Sequence, residues 1–156
     1  MSRRKMPKKR SFGSDQTYQS ILVNLIVNRL LCDGKKNLSY FILYSVLQKI
    51  QIDSKREPLT VLEHAIRIVI PIMQLKSRRI GGTNYQIPIE VNSRRRITMA
   101  IQWILAGMHN RPRGNIVIRL SREIFDAVQG RGIAVRKREE VHRMAEANKA
   151  FARYRF

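Results

Sequence analysis

The segment Lys76–Val91, KSRRIGGTNYQIPIEV, decides how this chain is organised. Two β-prone runs flank Gly81 and Gly82, and a glycine pair suits a two-residue hairpin turn, whose central residues need positive φ. Such a turn pairs Ile80 with Thr83, Arg78 with Tyr85 and Lys76 with Ile87. Opposite residues share a face. One face therefore mixes cations, an aromatic ring and aliphatics, and the other carries Ser77, Arg79, Asn84 and Gln86. Neither face of the outer half is a clean core face. Pro88 has no N–H for a ladder, which confines its strand to an edge; a two-stranded ribbon has only edges. An isolated ribbon is marginal in water, so its inner half, with Leu75, Ile89 and Val91, is expected to anchor on a separate body.

That body reads as helical on both sides of the ribbon. Upstream, Ser14 or Asp15 can cap a helix reaching about Leu31, apolar nearly all round, with Asp33-Gly34 as its stop. A second helix spans about Asn37 to Ile52, with Leu38, Phe41, Ile42, Val46 and Ile50 at helical spacing. A third opens at Pro58, carries Leu59, Leu62, Ile66 and Val69 inward, and stops before Pro71. Downstream, Ser93 caps a fourth helix through Leu105, faced by Ile97, Ala100, Ile101, Ile104 and Leu105, with Trp103 partly in the core. HNRPRGN is a loop by its Pro, Gly and Asn content. Asn115 caps a fifth helix, with Leu120, Ile124 and Val128 inward, ending at Gly130 or Gly132. The sixth runs from about Ile133 to Ala152 on a stripe that includes Val141, Met144, Ala145 and Phe151. Strands and helices do not alternate, which argues against a parallel sheet. The expected fold is mainly α: one domain over 13–156 of about six helices, with a protruding two-stranded ribbon at about 73–91 between helices three and four.

The chain has 156 residues, enough for one core, and 31 Lys and Arg against 11 acids, a formal net charge of +20. A compact domain repels itself at that charge unless a polyanion neutralises it, and nucleic acid is the first candidate. No apolar run approaches the roughly 20 residues that span a bilayer, and MSRRKMPKKRSFGSD lacks the apolar core of a secretory signal. No membrane role is expected. The single Cys32, within LLCDG, reads as a buried thiol in a reducing compartment.

The cations are unevenly placed. Residues 1–12 carry Arg3, Arg4, Lys5, Lys8, Lys9 and Arg10 with no acid, the composition of a disordered basic arm that orders on phosphate. From His64 to Arg122 there are eleven cations and one acid, Glu90. They include Arg67, Lys76, Arg78, Arg79, the triplet Arg94, Arg95 and Arg96, then Arg111, Arg113, Arg119 and Arg122. The triplet occupies a first helical turn, where the macrodipole disfavours positive charge and a docked phosphate would relieve the cost; a solvated helix end is the alternative. The loop with Arg111 and Arg113 divides the same way. The ribbon's mixture of arginine with Tyr85 and Ile80 suits unpaired RNA bases, while joining another protein's sheet edge is the competing reading.

Catalytic constellations are poor. Glu139-x-x-His142 has metal-ligand spacing without the second copy a dimetal site needs. His64 and His109 have no Cys-rich partner for zinc, and the glycines at 130–132 lack the rest of a dinucleotide fingerprint. No enzyme activity, cofactor or small-molecule substrate is expected. His142 is expected to lie with Arg138, Lys149 and Arg153 on a polar stripe of the last helix, a second phosphate face.

LVNLIVNRLL (22–31), DGKKNLSY (33–40), the ribbon segment (76–91), AIQWIL (100–105) and RKREEVHRMAEANKAFARYRF (136–156) together resemble the bacterial-type small-subunit ribosomal protein seven family, in order and spacing, over nearly the whole chain. The resemblance implies six helices with a ribbon arm between the third and fourth. It implies binding to the 3′ major domain of small-subunit rRNA, initiation of head assembly, and a ribbon beside the exit-site tRNA and the mRNA path. Small-subunit proteins nine and eleven are the implied protein neighbours. Carried over, Gly81 and Gly82 form the ribbon tip, with Arg78, Arg79 and Tyr85 near exit-site tRNA and mRNA. Arg153, Tyr154 and Arg155 face the platform neighbour. The expected rRNA ligands are Arg3, Arg4, Lys5, Lys8, Lys9, Arg10, Lys35, Lys36, Lys76, Arg94, Arg95, Arg96, Arg111, Arg113 and Arg119. The basic segment 92–96 departs from the family's usual pattern, and its RNA contact rests on charge alone. MSRRKMPKKR resembles organelle-encoded starts, and Ile and Asn are plentiful, which favours a plastid over a bacterium. A nucleoid or DNA-architectural protein binding duplex DNA is the alternative from another class.

Overall fold

A computed structural model describes residues 13–112 and 114–154. Six helices follow in order: α1 (Ile21–Leu30), α2 (Lys36–Ser54), α3 (Pro58–Val69), then α4 (Ser93–His109), α5 (Ile116–Val128) and α6 (Ile133–Ala147). Strands β1 (Met73–Ile80) and β2 (Thr83–Glu90) form an antiparallel ribbon between α3 and α4, and a 3₁₀ segment, Lys149–Tyr154, closes the described chain. The chain is thus mainly helical with a single ribbon, as its patterning indicates.

α5 is the central helix. Leu120, Ile124 and Ala127 recur every three or four residues and are buried, and α5 packs against α2, α3 and α4. Their partners include Leu43, Leu47 and Ile50 of α2, Leu62 and Ile66 of α3, and Ile101, Ile104 and Met108 of α4. Each fully buried aliphatic side chain contributes about 1.5–3 kcal/mol, so these layers hold the domain together. Trp103 packs partly buried against the same core.

Several boundaries differ from the sequence reading, each for a local reason. Asp15 does cap a turn: its Oδ2 accepts from the Thr17 and Tyr18 N–H groups at 3.2 and 3.1 Å. That turn is not propagated, because Gln19 adopts a φ of +48°, and α1 begins only at Ile21. In α2 the buried face is Ser39, Leu43, Val46, Leu47 and Ile50. Leu38 and Phe41, expected inward, are 53% and 70% exposed; the apolar positions outnumber what one face can cover. Ser93 is the first residue of α4 and Asn92 its N-cap, without a side-chain cap bond. α4 runs on through His109, so the following loop is shorter than HNRPRGN. The sixth helix stops at Ala147 and tightens after Asn148 into the 3₁₀ segment. Cys32 is exposed rather than buried, because it sits beyond the last turn of α1.

The ribbon has the register its turn requires: Ile80 faces Thr83, Arg78 faces Tyr85 and Lys76 faces Ile87. Gly81 and Gly82 take φ of +57° and +92°, which L side chains rarely adopt. The anchor is the C-terminal part of the chain. α6 packs on β1 and the 3₁₀ segment packs on β2. Ile87, Pro88 and Val91 are buried, while Leu75 and Ile89 are half-buried. The Tyr85 and Phe151 rings meet with centroids 5.0 Å apart.

Candidate nucleic-acid interface

Packing of the 3₁₀ segment on β2 gives the two ribbon faces different jobs. The face bearing Arg78, Tyr85 and Ile87 turns toward the body, and Arg78 is half-buried and engaged within the chain. The opposite face presents Ser77, Arg79, Asn84 and Gln86, all exposed. Lys76 is exposed at the edge of the packed face, beside buried Ile87. Arg79, rather than Tyr85, is therefore the ribbon's outward group, and Tyr85 is half committed to Phe151.

The ribbon base is held by the neighbouring elements. The Val91 N–H donates to the Ile72 carbonyl at 3.1 Å. The Ile72 N–H donates to His142 Nε2 at 3.2 Å. Arg138 donates to the Ile68 carbonyl at the end of α3. The polar stripe expected on the last helix is thus partly used to hold the ribbon root. Burial, reinforced by the Arg138 charge, pushes the His142 imidazole below its ordinary pKa, which keeps it neutral and able to accept.

At the start of α4, Arg95 is exposed, and Arg96 Nε donates to the Val91 carbonyl at 2.7 Å. The first turn holds no acid and no side-chain cap, so the dipole and the arginines add to one positive field. Lys35 and Lys36 lie exposed at the opening of α2, with Lys36 Nζ 5.7 Å from the centre of the Tyr40 ring. Arg119, in the first turn of α5, is half-buried, and its Nε has no hydrogen-bond partner among the described residues.

Arg111 is a correction to the expected phosphate set. Its Nε and Nη2 donate to Glu123 Oε2 at 2.8 and 2.7 Å, and Nη2 also contacts Asp126. Burial alone would lower the Arg111 pKa, but the Asp126 and Glu123 carboxylates outweigh it and raise it. Glu123 is fully buried, and its Oε1 accepts the Ala134 N–H at 3.0 Å. This cluster ties the 110–115 loop to the start of α6. The signal was in the sequence: Glu123 is an acid at a core position between Leu120, Ile124 and Ala127, and a buried carboxylate demands a cation. The loop arginine supplied it.

Arg3, Arg4, Lys5, Lys8, Lys9, Arg10, Arg113 and Arg155 lie outside the described residues, as do the side chains of Arg94 and Tyr154. Arg153 is exposed on the 3₁₀ segment. The expected ligands among the described residues are spread over the ribbon, the starts of α4 and α5, the α1–α2 loop and the 3₁₀ segment, while Arg136, Arg138 and Arg143 line a separate groove along α6 together with Glu139, Glu140 and Glu146. No group of three or more His, Cys, Asp or Glu side chains that could hold a metal occurs among the described residues, and none of their helices is long and apolar enough to cross a membrane.

A helical body with distributed cationic surfaces and a basic ribbon has the charge distribution of a nucleic-acid-binding scaffold. The sequence model described as ribosomal protein S7p/S5e matches residues 2–149. The small ribosomal subunit protein uS7c of Tupiella akineta is 46% identical over 156 residues, covering all of both chains. This chain belongs to the ribosomal protein S7p/S5e family. Its role is structural rather than enzymatic.

Proposed function

We propose that this protein is a constituent of the small ribosomal subunit of a plastid. In this reading it binds the 3′ major domain of small-subunit rRNA, starts head assembly, and holds its ribbon near exit-site tRNA and mRNA. The observation that carries it, beside family membership, is the set of exposed cations on acid-poor surfaces: Lys35, Lys36, Lys76, Arg79 and Arg95. Their separation over several elements suits a folded RNA that wraps the protein better than a straight duplex laid along one stripe. Arg3, Arg4, Lys5, Lys8, Lys9, Arg10, Arg94, Arg113 and Arg119 are the other proposed rRNA ligands, and Arg96 contributes through what its bond to Val91 leaves open. Arg111 is not among them, because its charge is spent on Glu123 and Asp126. Gly81 and Gly82 place the ribbon tip, Arg79 reaches the RNA, and Arg78 and Tyr85 support it. Arg153, Tyr154 and Arg155 contact small-subunit protein eleven, and protein nine is the other neighbour. The Ile and Asn content and the likeness to the Tupiella akineta protein support the plastid.

The test compares binding of the purified chain to a head-domain RNA fragment and to duplex DNA at matched salt. A clear preference for the RNA is expected, with affinity falling as salt rises because phosphate neutralisation dominates. Equal affinity for both nucleic acids would sink the reading in favour of a DNA-architectural protein. Co-sedimentation with small subunits from isolated plastids tests the location.

A further inference from the structure

The exposed aromatic side of α2 is left unused by the surfaces above. Phe41 is 70% exposed and Leu38, one turn earlier on the same face, is 53% exposed. Isolated apolar side chains at a surface are ordinary, but a contiguous apolar patch marks a binding site. Phe41 borders a groove of about 720 Å³ between the first half of α2 and the 14–17 turn, within the roughly 300–1,000 Å³ of small-molecule sites. Gln16, Thr17, Asn37, Tyr40 and Tyr44 line it with Phe41.

The groove is built rather than incidental. Tyr44 donates to Asp15 Oδ1 at 2.8 Å, and Thr17 Oγ1 donates to the Tyr44 hydroxyl at 3.1 Å. Tyr40 donates to Asn24 Oδ1 at 3.3 Å, and Asn24 Nδ2 donates to the Gly13 carbonyl at 2.8 Å. Tyr18 and Tyr40 both pack tilted against Tyr44, with centroids 5.7 and 5.8 Å apart. These bonds pin the turn to α2 and consume the Asp15 carboxylate, the one acid lining the groove. Asn37 and Gln16 leave amide groups exposed at the mouth. Lys36 lines the groove and Lys35 precedes it in the chain, both exposed. A flat aromatic face, adjacent amides able to meet a polar edge, and flanking cations are the chemistry of unpaired-base recognition. The same cations and the self-satisfied acid disfavour a basic protein surface as occupant.

We propose that this groove holds one unpaired nucleobase of an RNA strand, stacked on Phe41, with Lys35 and Lys36 against the adjoining phosphates. The proposal rests on the RNA-binding reading and adds a base-stacking subsite to it.

The probe is a short single-stranded RNA carrying 2-aminopurine, bound by the full chain. Phe41→Ala should weaken binding about five- to a hundredfold and abolish the quenching of the fluorescent base, with an unchanged salt slope because no phosphate contact is lost. Phe41→Trp should retain both affinity and quenching. Lys36→Gln should instead flatten the salt slope, by about 0.7 for one single-strand phosphate contact. A photoreactive phenylalanine analogue at position 41, in assembled small subunits, should cross-link to RNA. Wild-type affinity in Phe41→Ala, equal binding by Phe41→Leu, or a cross-link to a protein neighbour or to this chain's own residues 1–12 would each overturn the site. If Phe41→Ala is silent while the wild type still prefers RNA to duplex DNA, the subsite falls and the RNA-binding reading stands. If the wild type shows no such preference, both fall.

Discussion

Glu123 shows how one residue can decide the use of another. Its carboxylate is fully buried between Gly107, Arg111 and the start of α6, and a Cβ added at Gly107 would sit 2.6 Å from Oε1. Removing one partner of a buried ion pair strands the other's charge, at a cost of about 3–5 kcal/mol. Glu123→Ala should therefore lower the melting temperature markedly, and Gly107→Ala should do so through overlap with the carboxylate; calorimetry of the two variants checks both. Arg111→Ala should destabilise the fold while changing the salt slope of RNA binding little, which titration at several salt concentrations would reveal. At the ribbon root, His142 predicts a pH effect. Its folded pKa lies below the ordinary 6.5, so below about pH 6.5 the unfolded chain takes up a proton that the folded chain resists. Stability is then fully present above that pH and is lost as pH falls toward the depressed value. Denaturant melts of the wild type should show this slope, and His142→Ala should flatten it.

The ribbon and the C-terminal segment behave as one unit. Tyr85 on β2 and Phe151 on the 3₁₀ segment meet on the ribbon's packed face, and an aromatic pair contributes about 0.5–1.5 kcal/mol beyond its area. Phe151→Ala should leave the helical melt almost unchanged and speed amide exchange across 83–88, measurable by hydrogen-exchange mass spectrometry. Arg79→Ala is the cleaner probe of the ribbon's outward side, because Arg79 is exposed and Arg78 is engaged within the chain. It should preserve helical circular dichroism and head assembly while disturbing exit-site function in reconstituted subunits. Loss of helical signal in Arg79→Ala would show that the outer ribbon is part of the core after all.

At the scale of the whole molecule, the six helices, the ribbon and its register were legible because each is written in local chemistry. Apolar spacing marks α3 and α5, Gly81-Gly82 sets the turn, and Pro88 sets the edge. The surfaces were less legible. Lysine and arginine look alike in a sequence whether solvent, RNA or a carboxylate takes them, which is how Arg111 read as a phosphate ligand. α2 has more apolar residues than one face can bury, so spacing alone could not show that Leu38 and Phe41 turn outward while Leu43 and Leu47 turn in. The end of α6 was obscured because KAFARY continues an acceptable helical pattern, and only its seat on β2 favours the tighter turn.

By itself, the sequence determined the helical class, the position and pairing of the ribbon, the positive charge and the family likeness, since those depend on residue type and neighbours a few positions away. Tertiary structure decided which ribbon face is outward, that the C-terminal segment braces it, that Arg111 belongs to Glu123, and that Phe41 lies open beside a groove. Those outcomes depend on residues brought together from distant parts of the chain, where packing and the cost of a buried unpaired charge choose among side chains of the same kind.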